Sequence, residues 1–237
     1  MNFFTKMMMN QRTSAYDLNK LNILNSLEKN SKAMFIDLGC DDGVWTNKLA
    51  EKIGTKNISG IEIIETRALL SEKAGIKVSI SDLNMKFPLS DEQFDVVHCN
   101  QVIEHVKDTD LFVSEIYRIL KPDGYAVIST ENLASWHNIG ALFFGYMPFS
   151  LVNTTYKTAA LGNPLAPHNN QDFWESSSWQ HVRVFTTKGL KHLFELFGFE
   201  VEKIYGAGYY PFGNAVSKLD TAHSAFITFK VRKKNNA

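Results

Sequence analysis

The stretch "FIDLGCDDGVW", residues 35–45, carries the first recognisable chemistry in the chain. An apolar run ends at an acid, Asp37, and leads into a turn containing Gly39 and Gly43. Glycine lets a backbone turn tightly and approach a ligand closely. A loop that cradles phosphate, however, presents bare N–H groups and avoids negative charge. Here Asp41 and Asp42 stand in the turn, beside Cys40, so its ligand must tolerate carboxylates. Further polar groups follow other apolar runs. Glu62 and Ile63 close "NISGIEII", Ser81, Asp82 and Leu83 follow "IKVSI", and Asn100, Gln101 and His105 follow "FDVVHC".

These groups need a scaffold that gathers strand ends. The runs "AMFIDL", "NISGIEII", "IKVSIS", "FDVVHCN" and "YAVISTEN" read as strands. Between them, "VWTNKLAEKIG", "ETRALLSEKAG" and "TDLFVSEIYRILKPDG" read as helices closed by Gly54, Gly75 and the Pro122–Gly124 pair. Continuous apolar strands alternating with helices predict a parallel sheet covered on both faces. Later, "TTKGLKHLFELFG" reads as a helix capped by Thr186 or Thr187, and "FEVEKIYG" and "AFITFKVRK" as the last two strands. The expectation is an α/β, doubly wound, mostly parallel sheet of seven strands, with ligands at the carboxyl ends of the strands.

Residues 15–30 precede this core as a helix whose apolar face would hold Leu18, Leu21, Leu24 and Leu27. Residues 33–132 form the core, residues 133–182 interrupt the rhythm, and 183–237 resume it, all as one domain of 1–237. The interruption holds Trp136, Trp174, Trp179, Pro148, Pro164 and Pro167. A structureless insertion of this length is expected to be a lid or binding element. Its alternatives are a packed subdomain or a homodimer contact.

Lysines and arginines balance aspartates and glutamates at 25 each, so no basic excess points to nucleic acid or an anionic surface. The one basic cluster, Lys230, Arg232, Lys233 and Lys234, reads as a strand end and a solvated tail. Cys40 and Cys99 form no CxxC pair and read as free thiols of a reducing, cytoplasmic compartment. No secretory signal is evident. The longest apolar-rich run, 139–152, is too short to span a bilayer and contains Pro148. No His, Cys or carboxylate group has metal-ligand spacing, so no metal is expected.

Taken in order and register, "IDLGCDDG", "GIEI", "SD", "FDVVHCNQVIEHV" and "EIYRILKPDGYAVIS" resemble the class I S-adenosylmethionine-dependent methyltransferases, in the branch that acts on small molecules. The resemblance covers roughly residues 33–132. Where that family's first loop reads D-x-G-x-G-x-G, Asp41 replaces the middle glycine. The resemblance implies a Rossmann-like fold and S-adenosyl-L-methionine as cofactor, with S-adenosyl-L-homocysteine as product. It implies that Asp37, Gly39, Cys40, Asp41 and Gly43 meet the methionine end with Asn100 and Gln101. Glu62 would take the ribose hydroxyls beside Ile63, and Ser81, Asp82 and Leu83 the adenine. A sulfonium cofactor is cationic and carries no phosphate, which answers the acidic turn. The alternatives are a cap of the next helix for Asp41 and Asp42, a structural role for Asp37, and a helix or turn cap for Asp82.

Methyl transfer from a sulfonium needs mainly proximity and a dry site, and a base only when the acceptor arrives protonated. The candidate bases are His105 and His181, with a structural histidine beside Glu104 as the other reading of His105. His137 and His168 are also available. Trp136, His137 and Arg183 are candidate contacts to a small-molecule or glycan-type acceptor. The turn "NQVIEH" lacks the [DNS]-P-P-[YFW] motif of amino-methylating nucleic-acid enzymes, and no cysteine follows a proline as a cytosine-C5 enzyme would need. The competing readings are a non-catalytic subunit that binds the cofactor, a nucleotide-dependent oxidoreductase, and an apolar 139–149 surface that meets lipid-linked acceptors or a second subunit.

Overall fold

The computed structural model describes residues 3–151, 161–163, 180–210, 212 and 214–234, with side chains from residue 11 onward. Strands β1 (Met34–Leu38), β2 (Asn57–Glu62), β3 (Lys77–Ile80), β4 (Phe94–Asn100) and β5 (Leu120–Glu131) alternate with helices α2 (Val44–Ile53), α3 (Glu65–Lys73) and α4 (Thr109–Ile119). Helix α1 (Phe3–Ser26) precedes them. Helices α5 (Trp136–Phe143), α6 (Thr187–Leu196) and α7 (Asn214–Ser217) follow, with strands β6 (Phe199–Ala207) and β7 (Phe226–Lys233). The seven-stranded sheet runs β3-β2-β1-β4-β5-β7-β6. The first five strands are parallel, and β7 is antiparallel to both its neighbours. The chain steps from β1 outward to β3, then returns to β4 on the other side of β1. The carboxyl ends of β1 and β4 therefore flank the point where a ligand crevice opens.

The apolar strands are buried on both faces, as their composition requires. One face packs Ile36, Leu38, Val97 and Ile128 against Phe112 and Ile116 of α4 and Leu190 and Phe194 of α6. The other packs Phe35, Val96 and Val127 against Leu49 and Ile53 of α2 and Ile23 of α1. Each such side chain contributes roughly 1.5–3 kcal/mol on burial. Helix α2 stops at Gly54, which takes φ 85° and donates its N–H to Ala50. Thr186 caps α6 by accepting from the Gly189 N–H.

Three expectations fail here. Helix α1 packs on the sheet as expected, with Leu18 and Leu24 partly buried and Leu27 buried just past its end, but it begins at Phe3, ends at Ser26 and leaves Leu21 half exposed. The face it buries is Ala15, Asn19, Asn22, Ile23 and Ser26, because polar residues lock it to the sheet. Asn19 Oδ1 accepts from Ser129 and Thr228, and Asn22 donates to the Gly206 carbonyl. The insertion is not structureless, since α5 and a 3₁₀ turn at Phe149–Leu151 lie within it. Helix α5 leaves Leu142, Phe143 and Phe144 exposed. Trp174, Trp179, His168, Pro164 and Pro167 fall outside the described residues. The basic cluster is the end of β7, as expected, with Lys234 exposed beyond it, but its strand residues are not solvated. Lys230 and Arg232 both pair with Glu28 and Glu202, and Lys233 is buried against the Leu120 carbonyl, 2.8 Å away. No described helix is long and apolar enough to cross a membrane.

Candidate active site

A cavity of about 430 Å³ opens at the carboxyl ends of β1, β2, β3 and β4. Its floor is Asp37, nearly inaccessible to solvent. Asp37 Oδ2 accepts from Thr46 Oγ1 at 2.5 Å, and its Oδ1 lies 2.7 Å from His98 Nδ1. An ionised carboxylate only accepts, so that imidazole nitrogen carries the hydrogen. The other His98 nitrogen is buried with no hydrogen-bond partner among the described residues, and the residue lines the cavity.

The turn after β1 obtains its shape from three left-handed residues. Gly39, Asp41 and Gly43 have φ of 81°, 50° and 78°. Aspartate is one of the few residues with a side chain that adopts this region. Asp41 thus keeps the backbone path expected of the glycine it replaces. Gly39 lines the cavity, and a Cβ there would strike Val102 at 2.8 Å. Gly43 does not line it. Its missing Cβ makes room for Ser71 and Ile76. Cys40 and Cys99 are free and buried, and burial pushes the Cys40 thiol up to about 12.

The two carboxylates of the turn are not left to a ligand alone. Arg67 of α3 pairs with Asp41 through two nitrogens and reaches Asp42 at 3.3 Å. Asp42 Oδ1 also accepts from the Val44 N–H at 3.0 Å, capping α2. Sequence reasoning missed Arg67 because its partners lie a helix and a strand away, and local spacing carries no trace of the pairing.

Glu62 ends β2 and is almost fully buried. Oε2 accepts from the Asp41 N–H at 3.0 Å and Oε1 from the Ile64 N–H at 2.9 Å. Each oxygen keeps a further lone pair, and the residue lines the cavity. Ile63 is exposed there and Leu83 lies at the same cavity. Asp82 Oδ1 accepts from both the backbone N–H and side-chain amide of Asn84, so it also builds a turn. Ser81, Asn100 and Gln101 complete the wall. Gln101 has φ 56°, a strained position for a side-chain-bearing residue, and its amide nitrogen is buried without a partner among the described residues.

The acceptor-side candidates are less concentrated. His105 lines the cavity, its Nδ1 3.0 Å from the Gln180 carbonyl. Burial and then the neighbouring His181 lower its pKa to about 4. His181 meets His105 edge to face, and its Nδ1 lies 2.7 Å from the Ser150 carbonyl. Trp136, His137 and Arg183 do not line the cavity. Trp136 donates to Tyr209 and stacks on His223, and His137 packs between Phe149 and Tyr210. Arg183 donates to the Lys107 carbonyl, tying the end of the insertion to the loop after β4. Lys20, Trp45, His98, Asn84 and Lys107 line the cavity although the sequence did not single them out. Lys20 comes from α1, with its ammonium 5.6 Å from the Trp45 ring.

The strand order, the turn after β1 and the buried acid ending β2 define a Rossmann-like α/β methyltransferase fold. The family model described as a methyltransferase domain matches residues 10–204, and the chain belongs to that family, whose cofactor is S-adenosyl-L-methionine. Among similar proteins, the ubiquinone biosynthesis O-methyltransferase of Rickettsia prowazekii is 32% identical over 106 residues, covering 43% of this chain and 41% of the relative. This chain therefore spans about two fifths of the length of that curated relative. A protein of Mycolicibacterium smegmatis named "Probable S-adenosylmethionine-dependent methyltransferase" is 26% identical over 193 residues, covering 81% of this chain and 60% of that one. The solved structure of a SAM-dependent methyltransferase from Thermotoga maritima shares the fold, with a TM-score of 0.62 at 20% identity over 98% of this chain and 94% of that one.

Proposed function

We propose that this chain transfers the methyl group of S-adenosyl-L-methionine to an oxygen or nitrogen of a small-molecule or glycan-type acceptor, in the cytoplasm. One observation carries the reading. The buried Glu62 carboxylate is held by two backbone N–H groups at the cavity, with lone pairs left for two hydroxyls of one ribose. A volume of about 430 Å³ suits a nucleoside-sized ligand. Ile63, Leu83, Asp37, Gly39 and Gln101 line the cavity; in this reading the first two take the flat base and the others the methionine end.

The bound sulfonium would supply an already activated methyl group. The chain's own residues then have to hold the acceptor in line and keep water out. A hydroxyl acceptor must also lose a proton. Of the two candidate bases, His105 is the one at the cavity, where its Nε2 would receive that proton. The Rickettsia relative is named an O-methyltransferase, which favours oxygen as the receiving atom.

The oxidoreductase alternative needs a pyrophosphate at the α2 N-terminus. The Val44 N–H there is already taken by Asp42, and Arg67 leaves the Asp41–Asp42 pair with a residual negative charge. Calorimetry with S-adenosylhomocysteine and with nicotinamide dinucleotides tests the choice. Binding of the first alone is expected, and comparable dinucleotide binding would sink the reading. Labelled methyl transfer to phenols, quinols, sugars and lipid-linked glycans then separates an enzyme from a non-catalytic cofactor-binding subunit.

A further inference from the structure

The sequence shows no metal-ligand spacing, yet the fold brings three donors together. Glu104 and His105 follow β4, and His181 comes from the end of the insertion, more than seventy residues later. One ligand atom from each lies within 4.8 Å of the others. The backbone fixes this meeting, because the Val182 and Arg183 N–H groups both donate to the Glu104 carbonyl.

The Glu104 side chain is the least explained group in the molecule. It is 0% exposed, and neither carboxylate oxygen has a hydrogen-bond partner among the described residues. A buried carboxylate without partners is strongly unfavourable unless it is neutralised or coordinates a cation. The two imidazoles beside it make the carbonyl contacts that metal-ligating histidines commonly make. His105 Nδ1 faces the Gln180 carbonyl and His181 Nδ1 the Ser150 carbonyl, contacts that place the hydrogen on Nδ1 and the lone pair on Nε2.

We propose that Glu104, His105 and His181 form a binding site for one divalent transition-metal ion of the zinc type. Two imidazole nitrogens and one carboxylate suit zinc, cobalt or iron, and not the all-oxygen shells of magnesium or calcium. Ligand atoms at about 2.1 Å around a tetrahedral ion lie roughly 3.4 Å apart. The cluster must therefore close by up to about 1.4 Å, within reach of side-chain rotations. Glu131, whose Oε2 is 3.7 Å from His181 Nδ1, stands beside the ring nitrogen that faces away from the ion and would favour the tautomer with Nε2 as ligand. Because His105 lines the cavity, the ion would sit at its rim. A coordinated His105 could not also accept a proton at Nε2, so the metal role and the base role exclude each other. The proposal does not depend on the identity of the cofactor, and its test reads metal binding alone.

The test uses the full chain, stripped with a chelator and titrated with Zn²⁺ by calorimetry and with Co²⁺ by visible absorption. One ion per chain is expected, with a cobalt ligand-field band and no thiolate charge-transfer band. Glu104→Gln and His181→Gln should each weaken binding about 10- to 100-fold, the scale for disturbed metal sites, while His192→Gln on the exposed face of α6 should not. Circular dichroism verifies that the variants fold, and His181→Asn replaces His181→Gln if that one does not. Absence of binding by the wild type, a thiolate band, or equal affinity in folded Glu104 and His181 variants would overturn the proposal.

Discussion

Asp37 and His98 are register partners on adjacent parallel strands, and their side chains meet at 2.7 Å with almost no exposure to solvent. The pair locks β1 to β4 where the cavity begins. His98→Phe removes one of the two side-chain donors to Asp37 and leaves that oxygen unsatisfied. A loss of about 1–3 kcal/mol of stability is expected, the usual consequence of stranding a buried polar group. Urea unfolding measures it, and an unchanged midpoint would mean that Thr46 alone satisfies the carboxylate.

Glu62→Ala should weaken S-adenosylhomocysteine binding by about 1.5–3 kcal/mol, the scale for hydrogen bonds to a charged group. The variant also strands the Asp41 and Ile64 N–H groups, so the measurement needs a folded-state control. Unchanged affinity in a folded variant would show that the ribose is held elsewhere.

Arg67→Ala removes the cation that offsets Asp41 and Asp42. All three groups are well exposed, so stability should change by less than about 1 kcal/mol. The ratio of affinities for the cationic cofactor over its neutral-sulfur product should rise roughly two- to threefold at low ionic strength and return at high salt. Calorimetry at two salt concentrations checks this, and a ratio unaffected by the substitution would remove Arg67 from ligand discrimination.

Glu115 links α4 to the loop after β3. Its carboxylate takes the Arg118 guanidinium at 2.6 Å and the Phe87 N–H at 2.8 Å. The Arg118 bond holds its pKa below the ordinary 4.5, against the opposing effect of burial. A lowered carboxylate contributes stability above 4.5, and that contribution disappears as pH falls through the lower folded value. Urea midpoints measured from pH 6 down to about pH 3 should fall more steeply in wild type than in Glu115→Gln. Parallel curves would refute the assignment.

His137 behaves in the opposite chemical sense. Burial lowers its pKa from 6.5 to about 4, so the folded protein keeps the ring neutral. Between those values the unfolded chain binds a proton that the native state does not, and stability declines as pH falls through the window. A ring-proton titration by NMR should place the midpoint well below 6. A midpoint near 6.5 would show that the ring is solvated.

The five parallel strands and the helices between them were legible because each is a continuous apolar run or a helical stripe closed by glycine. The cavity-lining acids were legible because they terminate those runs. What escaped was set by distant pairings. The buried face of α1 includes Asn19 and Asn22, whose partners lie on β5, β7 and at Gly206, so leucine spacing pointed to Leu21 instead. His98 sits inside an apolar strand, and only the β1–β4 register sets it against Asp37. The packing of Gly43 against Ser71 and Ile76 escaped too, because those side chains come from α3 and from the link between α3 and β3.

The position of β7 governs the biosynthesis of the molecule. This strand lies between β5 and β6, yet the ribosome makes it after both. Until it emerges, β5 presents an unpaired edge through Tyr125–Glu131, and β6 has no neighbour in the sheet. A nascent chain stalled after β6 therefore exposes an apolar strand edge able to recruit other chains. Pairing Glu131 with Phe226 also closes a long loop, which slows the joining of β5 to β7. A ribosome-bound chain that includes β6 but not β7 should thus bind more chaperone than one that includes both.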